Sequence, residues 1–154
     1  MNTTPRLLVI AAASLVSLAA AAQEKKIERS ELPPAVEKTV QAQSQGATIR
    51  GFATETENGK LYYEVSLIVR GHDRDVQIDP DGNVTEVEEE LRETELPAEV
   101  KAGLTAKAGE GTITRVESLM KHDKIVAYEA QVMTRGKKSE IQVGPDGKQL
   151  DHEE

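Results

Sequence analysis

Cysteine and tryptophan are absent from the 154 residues, and the aromatic side chains are only Phe52, Tyr62, Tyr63 and Tyr128. Without cysteine there is no disulfide framework, no thiolate metal site and no cysteine nucleophile. Packing alone must therefore hold the fold, and a chain so poor in aromatics must build its core from aliphatic side chains. Positive charge is also short: 19 Lys and Arg stand against 27 Asp and Glu, a net −8. Such a chain repels nucleic acid phosphates and disfavours an anionic membrane as partner. The one long apolar stretch, residues 7–20, is too short and too Ala-rich to span a bilayer comfortably. No Gly-x-Ser-x-Gly elbow and no phosphate-cradling glycine loop occurs. No catalytic residue, metal ligand or cofactor is therefore assigned from sequence.

That apolar stretch has another reading. Residues 1–6 are polar with one positive charge, Arg6, and Ala20-Ala21-Ala22 supplies the small residues a signal peptidase needs. This is the layout of a secretory signal peptide, expected over residues 1–22, with an uncleaved anchor as the rival. Cleavage would leave a short tail over residues 23–30 and a chain without stable membrane insertion, periplasmic or secreted. It also removes Arg6, leaving 18 basic and 27 acidic side chains, a net −9.

Within the remainder the sequence repeats itself. "ELPPAVEKTVQA" at 31–42 returns as "ELPAEVKAGLTA" at 95–106, and Ile49 returns as Ile113 at the same offset of 64. One position later in register, Tyr63-Glu64 returns as Tyr128-Glu129, Arg70-Gly71 as Arg135-Gly136, and Pro80-Asp81-Gly82 as Pro145-Asp146-Gly147. Matches spread over a whole unit with a single length change indicate a duplication, with one repeat over 31–90 and the other over 91–154.

Each repeat opens with a Pro, which suits a helix start. Leu32, Val36 and Val40, like Leu96, Val100 and Leu104, recur every four residues and lay an apolar stripe on a helix. Gly46, and Gly109 or Gly111, are expected to close these helices. The rest alternates with period two, as in Leu61, Tyr63, Val65, Leu67 and Val69, the pattern of a half-buried antiparallel strand. The Pro-Asp-Gly triplets turn the chain into a short last strand near 84–87 or 149–150. The expected fold class is α+β: two tandem repeats, each a helix packed on a three- to four-stranded antiparallel meander sheet. The acidic segment 86–95 would bridge them. A unit of this size is marginal alone, so the two are expected to pack together, sharing a sheet or stacking helices, rather than to swing freely.

This pattern resembles PepSY domains, and in tandem form the PepSY-like group allied to β-lactamase-inhibitor proteins. The resemblance covers residues 31–150. It implies an exported protein with a helix on an antiparallel sheet, and no shared catalytic residues. It points to a non-enzymatic module binding an unknown protein or peptide of the cell envelope, restraining a secreted hydrolase or serving envelope sensing. The alternative is an envelope protein that binds a ligand or a divalent cation.

Few residues invite a site. Asp79-Pro80-Asp81-Gly82-Asn83 resembles the start of a calcium loop, with Glu90 at the twelfth position. Val84, however, stands where such a loop needs Gly, and strands rather than helices flank it. A hairpin turn is the better reading. His72 and His122 sit beside Asp73 and Asp123 but do not align between repeats, and His152 lies in the terminal Asp-His-Glu-Glu. The repeated polar feature is Arg70-Gly71 and Arg135-Gly136. Gly there lets a strand turn, while Arg70 and Arg135 are candidates to hold a partner's carboxylate, which the planar guanidinium suits.

Overall fold

The computed structural model describes residues 24–152 and residue 154; the expected signal peptide lies outside them. Alternating segments form the strands β1 (Lys25–Ile27), β2 (Thr48–Glu57), β3 (Lys60–Val69), β4 (His72–Ile78), β5 (Val84–Leu91), β6 (Thr112–Lys121), β7 (Lys124–Thr134) and β8 (Lys137–Val143). They lie side by side in chain order in one eight-stranded sheet, each antiparallel to the next. Four hairpins close on two-residue turns: Asn58-Gly59, Arg70-Gly71, His122-Asp123 and Arg135-Gly136, every one of these residues at positive φ. That conformation matches the right-handed twist of paired strands.

The four-residue apolar spacing does form helices, α1 (Pro34–Gln43) and α2 (Ala98–Ala108), with Pro33 and Pro97 as their N-caps. Gly109, at φ 58°, caps α2, whereas Ser44 rather than Gly46 caps α1. Val36 and Val40 of α1 bury against Val65, Leu67, Val76 and Ile78. Val100 and Leu104 of α2 bury against Val116, Tyr128, Ala130 and Val143. Each helix also presses on a Pro-Asp-Gly turn. Thr39 Oγ1 donates to the Gly82 carbonyl at 2.6 Å. Gly103 of α2 faces Gly147 so closely that a Cβ on either would overlap backbone.

The expectation of two tandem repeats, each a helix packed on a three- to four-stranded antiparallel meander sheet, is overturned by one continuous eight-stranded sheet. Residues 86–91 do not bridge two sheets. They belong to β5, which pairs with β4 on one edge and with β6 on the other, from Glu86↔Lys121 to Leu91↔Val116. The physical reason lies in the backbone: a strand hydrogen-bonds on both edges, and Val87 and Leu91 still point to the helix side despite three intervening acids. The described residues form one antiparallel sheet carrying two short α-helices on one face. The last short strand expected near 149–150 is also absent, since no strand follows β8 among the described residues.

Candidate binding face

Because strand side chains alternate, the register that sends Val65, Val76 and Val116 under the helices sends their neighbours to the opposite face. Glu64 of β3, Asp75 and Gln77 of β4, Glu86 and Glu88 of β5, Glu117 of β6, and Glu129 of β7 all line a trough there, of about 510 Å³. Asp75 stands directly across from Glu88. Glu117 is diagonal to Glu88, since Glu88 pairs with Leu119. One carboxylate oxygen from each of Asp75, Glu88 and Glu117 lies within 4.8 Å of the others.

Burial and neighbouring negative charge disfavour the ionised form of Glu88, Glu64 and Glu117. Desolvation first, then the charges of Glu117, Glu86, Glu129 and Asp75, push the Glu88 carboxyl up to about 8. Desolvation and the nearby Asp75, Glu24 and Glu55 push Glu64 up to about 7. Burial also raises Glu55, Glu86 and Glu117. Two nearly buried amides orient neighbours: Gln77 Nε2 donates to Glu55 at 3.4 Å, and Gln142 Nε2 to Glu129 at 2.8 Å.

Cations border the trough. Arg115 Nη2 sits 2.7 Å from Glu117 and 3.4 Å from Asp73, and Arg50 Nη1 lies 2.9 Å from the same Asp73. The Arg115 Nε is buried without a hydrogen-bond partner. Lys121 lies 3.4 Å from Glu86 and 3.7 Å from Glu154. Asp75, Glu88 and Glu117 are the residues placed to hold a cation, although the Arg115 guanidinium already serves Glu117.

The residues singled out by sequence lie elsewhere. Arg70 and Arg135 are the first residues of the β3–β4 and β7–β8 turns, at φ 53° and 50°. Both turns are at the same end of the sheet, but β5 and β6 separate the hairpins, roughly 20 Å by strand spacing, so the two side chains do not form one site. Arg135 Nη2 meets Glu110 at 3.2 Å, with both side chains more than four-fifths exposed. The Asp79 carboxylate is engaged inside its own turn, accepting from the Asp81 and Asn83 amides at 3.0 and 2.8 Å and from Asn83 Nδ2 at 2.9 Å. Glu90 belongs to β5 and accepts from the Asp73 amide at 3.2 Å. This is turn geometry, not a calcium loop. His72 opens β4 and His122 sits in the β6–β7 turn.

The trough residues were missed because acids are so frequent in this sequence. A usable signal was present: Tyr63-Glu64 and Tyr128-Glu129 repeat an acid beside a core position, and Gln77 and Gln142 each stand between two aliphatic residues, Val76 and Ile78 in one case and Ile141 and Val143 in the other.

No protein-family model and no curated protein matches this chain. Solved structures do resemble it. A protein of Bacteroides eggerthii, provisionally described as periplasmic, matches at TM-score 0.62 and 21% identity over 75% of this chain and 84% of its own. A DUF2874 family protein of Bacteroides ovatus matches at TM-score 0.62 and 17% identity, over 77% and 84%. A BLIP-like protein of Bacteroides fragilis matches at TM-score 0.58 and 22% identity, again over 77% and 84%. At these identities the shared property is the fold. That fold is shared with proteins described as BLIP-like and as DUF2874 family, while no family model places the chain among PepSY domains. Among the described residues, no helix is long and apolar enough to cross a membrane.

Proposed function

We propose that this chain is a non-catalytic binding module of the periplasm or cell exterior, akin to PepSY-like proteins, whose trough docks a protein or peptide segment rich in Lys and Arg. The observation that carries the reading is the gathering of Glu64, Asp75, Glu86, Glu88, Glu117 and Glu129 on the sheet face opposite the two described helices. A folded chain keeps desolvated carboxylates together at a cost to its own stability, and a ligand's cations relieve that cost. The descriptions of the solved relatives, BLIP-like in one case and periplasmic in another, support the same class of work. Arg70 and Arg135, at separate points on the turn rim, are candidates each to hold a different carboxylate of the same partner. Changing both to Lys is expected to weaken docking without altering folding.

Calorimetric titration with a Lys-Ala repeat peptide tests the reading. Binding is expected to weaken with salt and to release protons at pH 7, because Glu88 and Glu64 must ionise to meet the cations. A Glu64→Gln/Glu88→Gln/Glu117→Gln triple variant is expected to lose it. Equal binding by that variant would refute the trough as the site.

A second reading, a divalent cation held by Asp75, Glu88 and Glu117, is favoured by their mutual distance of at most 4.8 Å. It predicts a rise in melting temperature with calcium at pH 8 that the triple variant lacks.

A further inference from the structure

Strand β8 forms an edge of the sheet, with β7 on one side and no described strand on the other. Its counterpart in pattern is β4, since Val76 and Ile78 match Ile141 and Val143 and both strands run into a Pro-Asp-Gly turn. There the resemblance stops, because β4 carries β5 on its second edge. Beyond the second turn the chain does not return along β8. Glu154 instead reaches the trough face, where its amide donates to Gln142 Oε1 at 3.0 Å.

The two-residue Arg135-Gly136 turn fixes which backbone groups of β8 are left over. Thr134 and Lys137 form the hydrogen-bonded pair that closes such a hairpin, and every second pair after it, Val132–Ser139 and Ala130–Ile141, does the same. The amides and carbonyls of Lys138, Glu140 and Gln142 therefore point away from β7. The Gln142 carbonyl is already met by Lys107 Nζ from α2 at 2.9 Å. Lys138 and Glu140 remain, in a stretch exposed from Lys137 to Glu140.

We propose that β8 pairs antiparallel with β8 of a second copy of this chain, about a two-fold axis at Ser139. Hydrogen bonding requires outward-facing residues to meet outward-facing residues, which leaves few registers. An axis at Lys138 or at Glu140 sets like charges opposite each other, which is unfavourable across strands. An axis at Ile141 needs the Gln142 carbonyl that Lys107 occupies. The axis at Ser139 places Lys138 opposite the partner subunit's Glu140, and Glu140 opposite the partner subunit's Lys138, with two ion pairs and both outward pairs hydrogen-bonded. Lysine on an edge strand ordinarily discourages pairing. Here Glu140 makes one register, with one partner, the exception.

Lys138 and Glu140 alternate onto the trough side, as does Gln142, and an axis normal to the sheet keeps both troughs on the same side. The pair would present two carboxylate troughs edge to edge on a continuous sheet. Strand contact alone falls well below the roughly 1,200 Å² of a standard interface, so the dimer is weak and concentration-dependent. The inference does not rest on the trough's ligand.

Sedimentation equilibrium of the exported chain from about 10 μM to about 1 mM, the range where a weak contact shows, tests it. Wild type is expected to dimerise, less so at high salt. Lys138→Glu and Glu140→Lys are each expected to raise the dissociation constant at least about tenfold, a change of about 1.4 kcal/mol. The double variant restores the complement and is expected to recover wild-type association, the result a merely structural effect would not give. Melting curves confirm the fold, and Lys138→Gln with Glu140→Gln replaces any variant that fails to melt cooperatively. A wild type that stays monomeric, singles that dimerise unchanged, or a double as weak as the singles would overturn the proposal.

Discussion

The two faces of this sheet are made by the same strands and obey opposite rules. On one, Val65, Leu67, Val76 and Ile78 are sealed under a helix and almost wholly excluded from water. On the other, their chain neighbours Glu64 and Asp75 join Glu88 and Glu117 in a trough, where carboxylate oxygens of Asp75, Glu88 and Glu117 lie within 4.8 Å of one another. The covered face supplies stability through burial, which is indifferent to pH. The open face draws on that stability to keep acids desolvated, and its contribution changes with pH. A chain of mostly aliphatic core can therefore carry an unfavourable surface, provided the favourable one is closed tightly.

The largest effects are expected where the covered face is opened. Leu104→Ala leaves a cavity under α2 and should destabilise by about 2–5 kcal/mol, read as a lower urea midpoint with an unchanged slope. If the slope changes as well, the halves of the sheet unfold separately.

Next come the points where the helices meet their turns. Gly103→Ala drives a Cβ into the Gly147 backbone and should cost about 1–3 kcal/mol as overpacking does. Gly46→Ala serves as the comparison. It meets no neighbour within 4 Å, though its φ of +74° is itself strained. The excess loss at Gly103 in thermal melts measures the contact.

The open face sharpens the comparison through pH. Glu88 and Glu64 have carboxyls raised from the ordinary value of 4.5 to about 8 and about 7 in the fold. The folded chain thus binds more protons than the unfolded one between those values. The stability these groups contribute is fully present below about pH 4.5 and is lost as pH rises through 7 and 8. Melting temperature should fall across that window, while Glu88→Gln should flatten the fall, stabilising at pH 8 and changing little at pH 4. Identical pH profiles for wild type and variant would dissolve the contrast between the faces.

The smallest effect belongs to neither face. His122 and Asp123 both sit at positive φ, at 50° and 60°, where the β2–β3 turn has Asn58-Gly59. Replacing them by Asn-Gly should relieve about 1 kcal/mol of left-handed strain, seen as a modest gain in melting temperature.

Much of the covered face was legible because its signals are local. Val36 and Val40 announce a helix stripe, and the alternation through Tyr63, Val65 and Leu67 announces a strand. The seam between β5 and β6 was not. Glu86, Glu88, Glu89 and Glu90 read as a solvated connector, since glutamate is depleted in strands, and the pairing partner lies some thirty residues onward across a helix. The trough was illegible for a related reason. Glu64, Asp75, Glu88 and Glu117 come from four strands, and register rather than spacing brings them together. Arg70 and Arg135 were visible as a repeated pair, but what their repetition records is the left-handed turn that Gly71 and Gly136 complete.

The strand order, one after another without exception, has a mechanical consequence. A force drawing on either terminus meets a single ladder at a time, so the chain peels away in sequence rather than shearing as a block. Run backwards, the same property means that each strand leaving a narrow exit finds its one earlier neighbour already in place, even where a helix lies between them.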